Sequence, residues 1–428
     1  MINVKKKILF GIGNQKKNIA TFFLENDNNV IAIVDNDCNK WGKKIGKSVI
    51  QSAESIMQYI SDEDTIVVIT VYSAYEQIKS QLLDMGWNKD RIIVAIKEIP
   101  FFTSFEYICY KSEINLYDPI PTLLNIELSG FCNCKCTYCP FHGEVNLKKG
   151  HKGLMNEKTM RAVIKQVKNI PSITTVDTTG PGEIFINTKW FELLQSLLDE
   201  TNIDKVYMYT NGMLLTEENI IKISLLHAKK IVLEISIDGM NQAENDAYRI
   251  GAKYNEIKRN IYNAQKTFKN QKKEIEIVIT NCYPTTLDEI EKSDYLIDSK
   301  ENLIPDFLKV DFPNLPIVSQ KTFFYGYDIE LSGFKKVRVK WKNRENRCNN
   351  LFYRIAINYA GELLRCSCGH AGIDAIGNVF VNDILKIWKE EKQIEDARKN
   401  FICGVENSDF CKGCPGKGIG EYYILVKK

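Results

Sequence analysis

No apolar run in these 428 residues approaches the roughly 18 needed to span a bilayer. The opening MINVKKKILFGIG has an apolar stretch far too short for a signal peptide. Both absences argue against a membrane partner and for a cytoplasmic protein. Charge of one sign is also lacking: 57 Lys and Arg nearly balance 54 Asp and Glu, so the global charge makes no electrostatic case for a nucleic-acid partner. The short basic run LKKGHKG reads as solvated loop. No low-complexity segment and no short repeat interrupts the chain, whose length and 44% hydrophobic content suit roughly three globular domains.

Cysteine, by contrast, is plentiful. In a reducing compartment the 13 cysteines need an explanation other than structural disulfides, and clustered thiolates there more often hold metal. Cys132, Cys134, Cys136 and Cys139 form one group, and Cys348, Cys366, Cys368, Cys403, Cys411 and Cys414 a second. Cys38, Cys109 and Cys282 stand alone, each read by default as a small buried hydrophobe.

The alternation of strand and helix patterns divides the chain. KILFGIG, NVIAIVDND, TIVVITV and RIIVAI read as strands and NQKKNIATFFLEN as a helix, which makes residues 1–98 a parallel α/β domain, separable from its neighbour by a proline-containing connector over 99–121. From 122 to 344 strands are expected at LLNIEL, TTVDTT, KVYMYT, IVLEISI, EIEIVIT and DFLKV, with helices between them. Six such units make a partial (βα)6 barrel with its chemistry at the carboxyl ends of the strands. Residues 345–428 are irregular and cysteine-rich.

CNCKCTYCP (132–140) comes after the first barrel strand. A zinc site usually takes two separated cysteine pairs, and a thioredoxin-like site one CxxC in a βαβ context, so neither fits well. Cys132, Cys136 and Cys139, spaced CxxxCxxC, give three thiolates to a four-iron cluster and leave one iron open. Cys134 is read as a bystander; the alternative is a closed four-cysteine site.

In this motif the sequence resembles the radical S-adenosylmethionine (radical SAM) superfamily, and the resemblance extends over 122–312. It implies that GPGE, with Gly180, Gly182 and Glu183 after the second strand, holds the cofactor's amino group. TNG (210–212) ends the third strand. In SIDG the resemblance assigns Ser236 and Asp238 to the ribose hydroxyls, Arg249 in YRIG to the carboxylate, and Tyr138 to the adenine. The cofactors implied are S-adenosylmethionine and a 4Fe-4S cluster, served by an external electron donor such as flavodoxin or ferredoxin.

Later in the chain, Cys348, Gly361 and Cys366, with the Cys411 and Cys414 of CKGC after them, resemble the SPASM or shorter twitch extension of such enzymes, as do INYAG and IGNVFVNDILKIW. The glycine suits a hairpin turn that brings the first two cysteines together. The four cysteines would complete one auxiliary 4Fe-4S cluster, with Cys368 or Cys403 as substitutes, although a zinc ribbon fits the same spacing. At the other end of the chain, GIGNQKK is an incomplete dinucleotide fingerprint with Lys16 in place of the third glycine. Asp35 stands where a ribose-binding acid would. The first domain resembles Rossmann-like domains of sugar-modifying and sugar-nucleotide-linked enzymes; a docking module with an empty site is the other reading.

These readings imply a radical oxidoreductase acting on a small polar substrate, such as a sugar or sugar nucleotide. A peptide or protein maturase remains open, as does a redox-neutral epimerase in which Cys282, after the fifth strand, returns a hydrogen atom. Two cubane clusters predict about eight irons per chain, falling to about four when Cys348 and Cys366 are replaced. Iron and zinc analysis of anaerobically purified protein checks this, and one tight zinc with about four irons would refute it.

Overall fold

The computed structural model describes residues 6–12, 20, 24, 29–71, 74–94, 120–143, 152–269, 271–286, 296–297, 303–324, 333–341, 350–366, 375–402 and 421–427. The chain is α/β with mixed sheets. Its first sheet holds β1 (Lys6–Phe10), β2 (Val30–Val34), β3 (Lys44–Ile45), β4 (Ser48–Gln51), β5 (Thr65–Ile69) and, after helix α1 (Tyr75–Asp84), β6 (Ile92–Val94). The order is β3-β4-β2-β1-β5-β6, with β3 alone antiparallel to its neighbour. Of the helix expected at NQKKNIATFFLEN only Ala20 and Leu24 are described, both helical, and the connector residues 99–119 lie outside the described residues, as does Cys109. Cys38, expected to be buried, is exposed in a short turn.

The second sheet begins with β7 (Leu123–Ile126). Next come a cysteine loop containing β8 (Lys135–Cys136), then α2 (Glu157–Val167), β9 (Thr175–Asp177), α3 (Trp190–Glu200), β10 (Lys205–Thr210), α4 (Glu217–Leu225), β11 (Lys230–Ser236), α5 (Gln242–Tyr248), β12 (Arg249–Ile250), α6 (Tyr254–Phe268) and β13 (Glu274–Tyr283). After β14 (Leu296–Ile297) come α7 (Asp306–Asp311), β15 (Ile317–Lys321), β16 (Phe323–Phe324) and β17 (Phe334–Trp341). The chain closes with α8 (Asn350–Tyr353), β18 (Arg354–Ile357), β19 (Glu362–Leu364), β20 (Ala375–Asn378), α9 (Ile384–Glu390), α10 (Lys392–Ile402) and β21 (Glu421–Lys427). Among the described residues no helix is long and apolar enough to cross a membrane.

Helix α2 shows why the elements form where they do. The Asn156 side chain caps it by accepting from Thr159 N, and Met160, Val163, Ile164 and Val167 recur at helical spacing on its buried face. They pack on strand residues of period two, including Leu124, Ile126, Val206, Met208, Ile231, Leu233 and Ile235. The alternate residues point away from the helices, to what we call the inner face. There Asn125, Asp177, Tyr207, Tyr209, Glu234, Thr280 and Cys282 succeed one another across the strands.

Two differences from the sequence reading matter. DFLKV is not a strand but the helix α7: Pro305 starts it, Leu308 is buried and Val310 is 76% exposed, which breaks the period of two that a strand requires. The sixth parallel strand is Ile317–Lys321. The sheet also does not end there, because β18 pairs in parallel with β7 on its other edge and carries β19 and β20 with it. Part of the 345–428 segment is therefore built into the central sheet. The final strand β21 pairs with β16 and β17 in a four-stranded sheet.

The first domain packs on the rest of the chain. Its core residues Ile8, Phe10, Val67 and Trp87 share one apolar cluster with Leu123, Leu351, Phe352, Tyr353, Ile394 and Ala397. Phe352→Ala is expected to cost about 3–5 kcal/mol and to lower the urea midpoint of the whole chain in one transition. A separate, unshifted transition for the first domain would show that the cluster does not couple the two.

Candidate active site

The cysteine loop leaves the carboxyl end of β7 and is held down at several points. Gly130 N donates to Gly153 O (2.8 Å), Thr137 N to Tyr248 O (2.8 Å) and Gly143 N to Cys139 O (3.1 Å). β8 pairs antiparallel with β12, which sets Cys136 opposite Arg249 and Lys135 opposite Ile250. A residue 113 positions further along the chain is thereby fixed beside the thiol. Gly143 is required at the back of the loop, where a Cβ would lie 2.5 Å from the carbonyl oxygens of both Cys136 and Cys139. Gly182 lies under its start; a Cβ there would come within 2.0 Å of Ser129 O and 2.7 Å of Phe131 O.

Cys132, Cys136 and Cys139 are partly exposed, whereas Cys134 is buried in the apolar core with Leu128 and Met155. Two of the three sulfurs already accept backbone N–H groups: Cys132 Sγ from Cys134 N and Cys139 Sγ from His142 N, each at 3.4 Å. Burial pushes the Cys136 thiol up to about 12, so its deprotonation needs strong positive charge close by, as iron ligation provides. Three thiols, two of them with N–H donors, and a largely buried guanidinium beside them fit a four-iron cluster carrying an anionic cofactor group. Among the described residues no three His, Cys, Asp or Glu side chains are arranged around a single ion.

Arg249 is the strongest indication of where that group would bind. Its Nη1 donates to Asp238 Oδ2 at 2.6 Å, and its buried Nε has no partner among the described residues. Asp238 Oδ1 accepts from Cys282 N at 3.1 Å, and Asp238 N donates to the buried Asn245 Oδ1 at 3.0 Å. The two residues expected at opposite ends of the cofactor thus bond to one another. Ser236 stands at the end of β11, its Oγ accepting from Thr280 Oγ1 at 3.4 Å. Tyr138 packs against Tyr248 and Phe334, with ring centroids 6.1 and 6.2 Å away, and its buried hydroxyl has no partner among the described residues. Cys282 faces inward on β13, its Sγ accepting from Gln320 Nε2 at 3.7 Å. Burial, reinforced by Asp238, pushes its thiol up to about 12.

Glu183 is wholly buried, and its oxygens serve the protein itself. Oε1 accepts from Thr210 Oγ1 and Oε2 from Asn211 N, both at 2.8 Å, while burial raises its carboxyl. Asn211 then donates to Asn133 Oδ1 at 2.7 Å and approaches Cys132 Sγ at 3.9 Å. Glu183, Asn211 and Asn133 form a chain of bonds that positions the first cysteine. The sequence reading placed TNG at the end of the third strand and gave Asn211 and Asn133 no role; the signal for Asn211 was a polar side chain at a strand end beside a cysteine loop. Gly180 packs against the Glu127 side chain.

Of the cysteines expected to hold an auxiliary cluster, Cys366 comes just after β19 and is partly exposed, and Gly361 turns the preceding hairpin with φ +80°. Cys348, Cys411 and Cys414 lie outside the described residues, with Cys368 and Cys403. In the first domain, Asp35 is taken up internally: Oδ2 accepts from Ile12 N (2.9 Å) and Lys40 Nζ (3.1 Å), and Oδ1 from Asp37 N (2.9 Å). Gly13 and Lys16 lie outside the described residues.

A family model described as Radical SAM superfamily matches residues 126–294, and one described as C2185-like, N-terminal, matches residues 3–93. Cysteine-type anaerobic sulfatase-maturating enzymes of two Clostridium perfringens strains are each 28% identical over 133 residues, which is 30% of this chain and 35% of theirs. The match spans about a third of those relatives' length. Among solved structures, BtrN in complex with AdoMet and 2-DOIA aligns at 16% identity and a TM-score of 0.43, covering 72% of this chain and 100% of that one. Streptococcus suis SuiB bound to S-adenosylmethionine aligns at 16% and 0.43, covering 69% and 78%. Native anSMEcpe with bound AdoMet aligns at 18% and 0.43, covering 69% and 86%.

Glu183→Ala would leave the Asn211 N–H and the Thr210 hydroxyl buried without their acceptor, a loss of about 3 kcal/mol. Chemical denaturation of the variant measures it, and Glu183→Gln should lose less because its amide oxygen still accepts one of the two.

Proposed function

Because residues 126–294 are a radical SAM superfamily domain, we propose that the chain is a radical S-adenosylmethionine oxidoreductase acting on a small polar molecule, a sugar or sugar nucleotide. The observation that carries this reading is the Cys136–Arg249 pairing, which sets a buried guanidinium with an open Nε beside the CxxxCxxC thiols. We read the parallel strands as a partial (βα)6 barrel, the first domain as Rossmann-like and the last segment as twitch-like.

When bound, S-adenosylmethionine on a reduced four-iron cluster supplies a 5'-deoxyadenosyl radical, and a second cluster held by Cys348, Cys366, Cys411 and Cys414 supplies an electron acceptor. Cys132, Cys136 and Cys139 hold the first cluster, with Asn211 steadying Cys132. Arg249 binds the cofactor carboxylate through the donors that Asp238 leaves open, and the backbone of Gly180 and Gly182 lies against its amino group. Ser236 and Asp238 meet the ribose and Tyr138 the adenine. Glu183, engaged with Thr210 and Asn211, acts as a positioning residue. The inner face, polar at Asn125, Tyr209, Ser236 and Thr280, receives the substrate beneath them.

Two other outcomes have their own support. The C. perfringens relatives are named as sulfatase-maturating enzymes, which favours a protein substrate. The inward-facing Cys282, with its thiol held up to about 12, favours epimerisation. At neutral pH it keeps its S–H hydrogen and can give that atom to a substrate carbon radical; an external electron and a proton then restore the thiol.

Anaerobically reconstituted protein with a strong reductant and S-adenosylmethionine is expected to release 5'-deoxyadenosine. Alanine at Cys132, Cys136 or Cys139 should abolish the release, and alanine at Cys134 should not; a Cys134 variant as inactive as the others would overturn the ligand assignment. In heavy water, a product carrying one solvent deuterium that disappears with Cys282→Ala marks epimerisation. A product two hydrogens lighter, formed equally by that variant, marks oxidation.

A further inference from the structure

The inner face carries a carboxyl that the roles above leave unused. Glu234 lies on β11, opposite Tyr209 of β10 and Val278 of β13. It is fully buried, neither of its oxygens has a hydrogen bond of ordinary geometry among the described residues, and the Tyr209 hydroxyl opposite acts on it as a weak donor. The other titratable groups of this face nearby are Glu127, Asp177, Tyr209, Glu276 and Arg354. Arg354 is engaged by Asp177, Nη1 to Oδ2 at 3.1 Å, and Glu276 lies 3.9 Å from Lys230 Nζ. Burial, then the charge of Asp177, pushes the Glu234 carboxyl well up, with the Tyr209 hydroxyl opposing the shift.

A buried carboxyl so weakly partnered is a cost to folding, and such costs are found where a site uses the group. Its depth sets the size of what it can meet. Glu234 precedes Ser236 by two residues and Asp238 by four, about 7 and 13 Å at roughly 3.3 Å per residue. The residues assigned to the cofactor thus lie within the length of a small polar molecule from Glu234 along the same stretch of chain. Carboxyls also outnumber guanidinium groups around it, since Glu127, Asp177 and Glu234 share the face with Arg354.

We propose that Glu234 receives a primary ammonium group, so that the substrate of this site is an amine-bearing polar small molecule of the amino-sugar class. The proposal rests on the reading of the chain as a radical enzyme for small polar molecules and narrows its substrate. An ammonium offers three donors to a carboxylate that, among the described residues, meets only the weak Tyr209 donor, and its charge answers the surplus of acid. A neutral hydroxyl answers only the hydrogen bonds.

Calorimetric titration of the full-length chain with D-glucosamine and, in parallel, D-glucose tests this in mildly acidic buffer. Glucosamine should bind at least about tenfold more tightly than glucose, and Glu234→Gln should weaken it by about tenfold or more. Repeating the titration in buffers of different ionisation enthalpy should show about one proton released by the wild type and none by the variant, since Glu234 ionises as the cation arrives. Glu234→Leu should raise the thermal midpoint, because it removes a weakly partnered buried acid. Equal binding of glucose, an unaltered affinity in Glu234→Gln, or a lowered midpoint in Glu234→Leu would overturn the proposal. None of these readouts needs cofactor turnover. A wild type that binds glucosamine through Glu234 but never cleaves S-adenosylmethionine would therefore support this inference while defeating the radical reading.

Discussion

A guanidinium buried at the carboxyl ends of parallel strands has to be paired, and much of this site is organised by how Arg249 meets that demand. Asp238 neutralises it at 2.6 Å, and the backbone of Arg249 is pinned to Cys136 through two short antiparallel strands. Removing one partner of such a pair leaves an uncompensated charge, a penalty of about 3–5 kcal/mol. The ion pair and the strand pairing together bring the end of β11, the cysteine loop and the start of α6 to one place. Because Asp238 also accepts from Cys282 N, β13 is drawn into the same arrangement.

The two-residue alternation of the strands separates stability from chemistry. Outward residues such as Ile231, Leu233 and Ile235 disappear under helices, while inward residues on the same strand, Glu234 and Ser236, remain polar. A slip of one residue would exchange the two sets, so the apolar face holds the register of the polar one. The first domain packs against Leu123, at the amino end of β7, and against α8 and α10. It therefore braces the end of the sheet opposite the cysteines. Asp35 is spent within the domain, on Ile12 N just after β1 and on Lys40.

The closing strands bring the far end of the chain back over the site. Phe334 of β17 packs edge-on against Tyr138 and tilted against Tyr248, and Lys427 of β21 reaches Glu244 Oε1 at 2.7 Å and the Tyr248 ring. Tyr138, beside the third thiol, is thus covered by a residue nearly 200 positions away, and its neighbour Tyr248 by Lys427 as well.

The sequence alone determined the α/β class, the CxxxCxxC loop after a strand, and the polar turns at the ends of the next strands, because each rests on local signals: periodicity, cysteine spacing and glycine-bearing turns. It misread DFLKV, where four apolar or half-apolar residues suit either period and only burial separates Leu308 from Val310. Cys134 was set apart from its three neighbours by the CxxxCxxC spacing and the motifs downstream of it, and its burial in the apolar core is a matter of packing that neither encodes. Only the tertiary structure decided that Glu183 serves Thr210 and Asn211, that Arg249 is bonded to Asp238, that β18 extends the central sheet, and that the first domain shares its core with α8 and α10. These are contacts between residues from 11 to several hundred positions apart, made by hydrogen bonds and burial that no local pattern encodes.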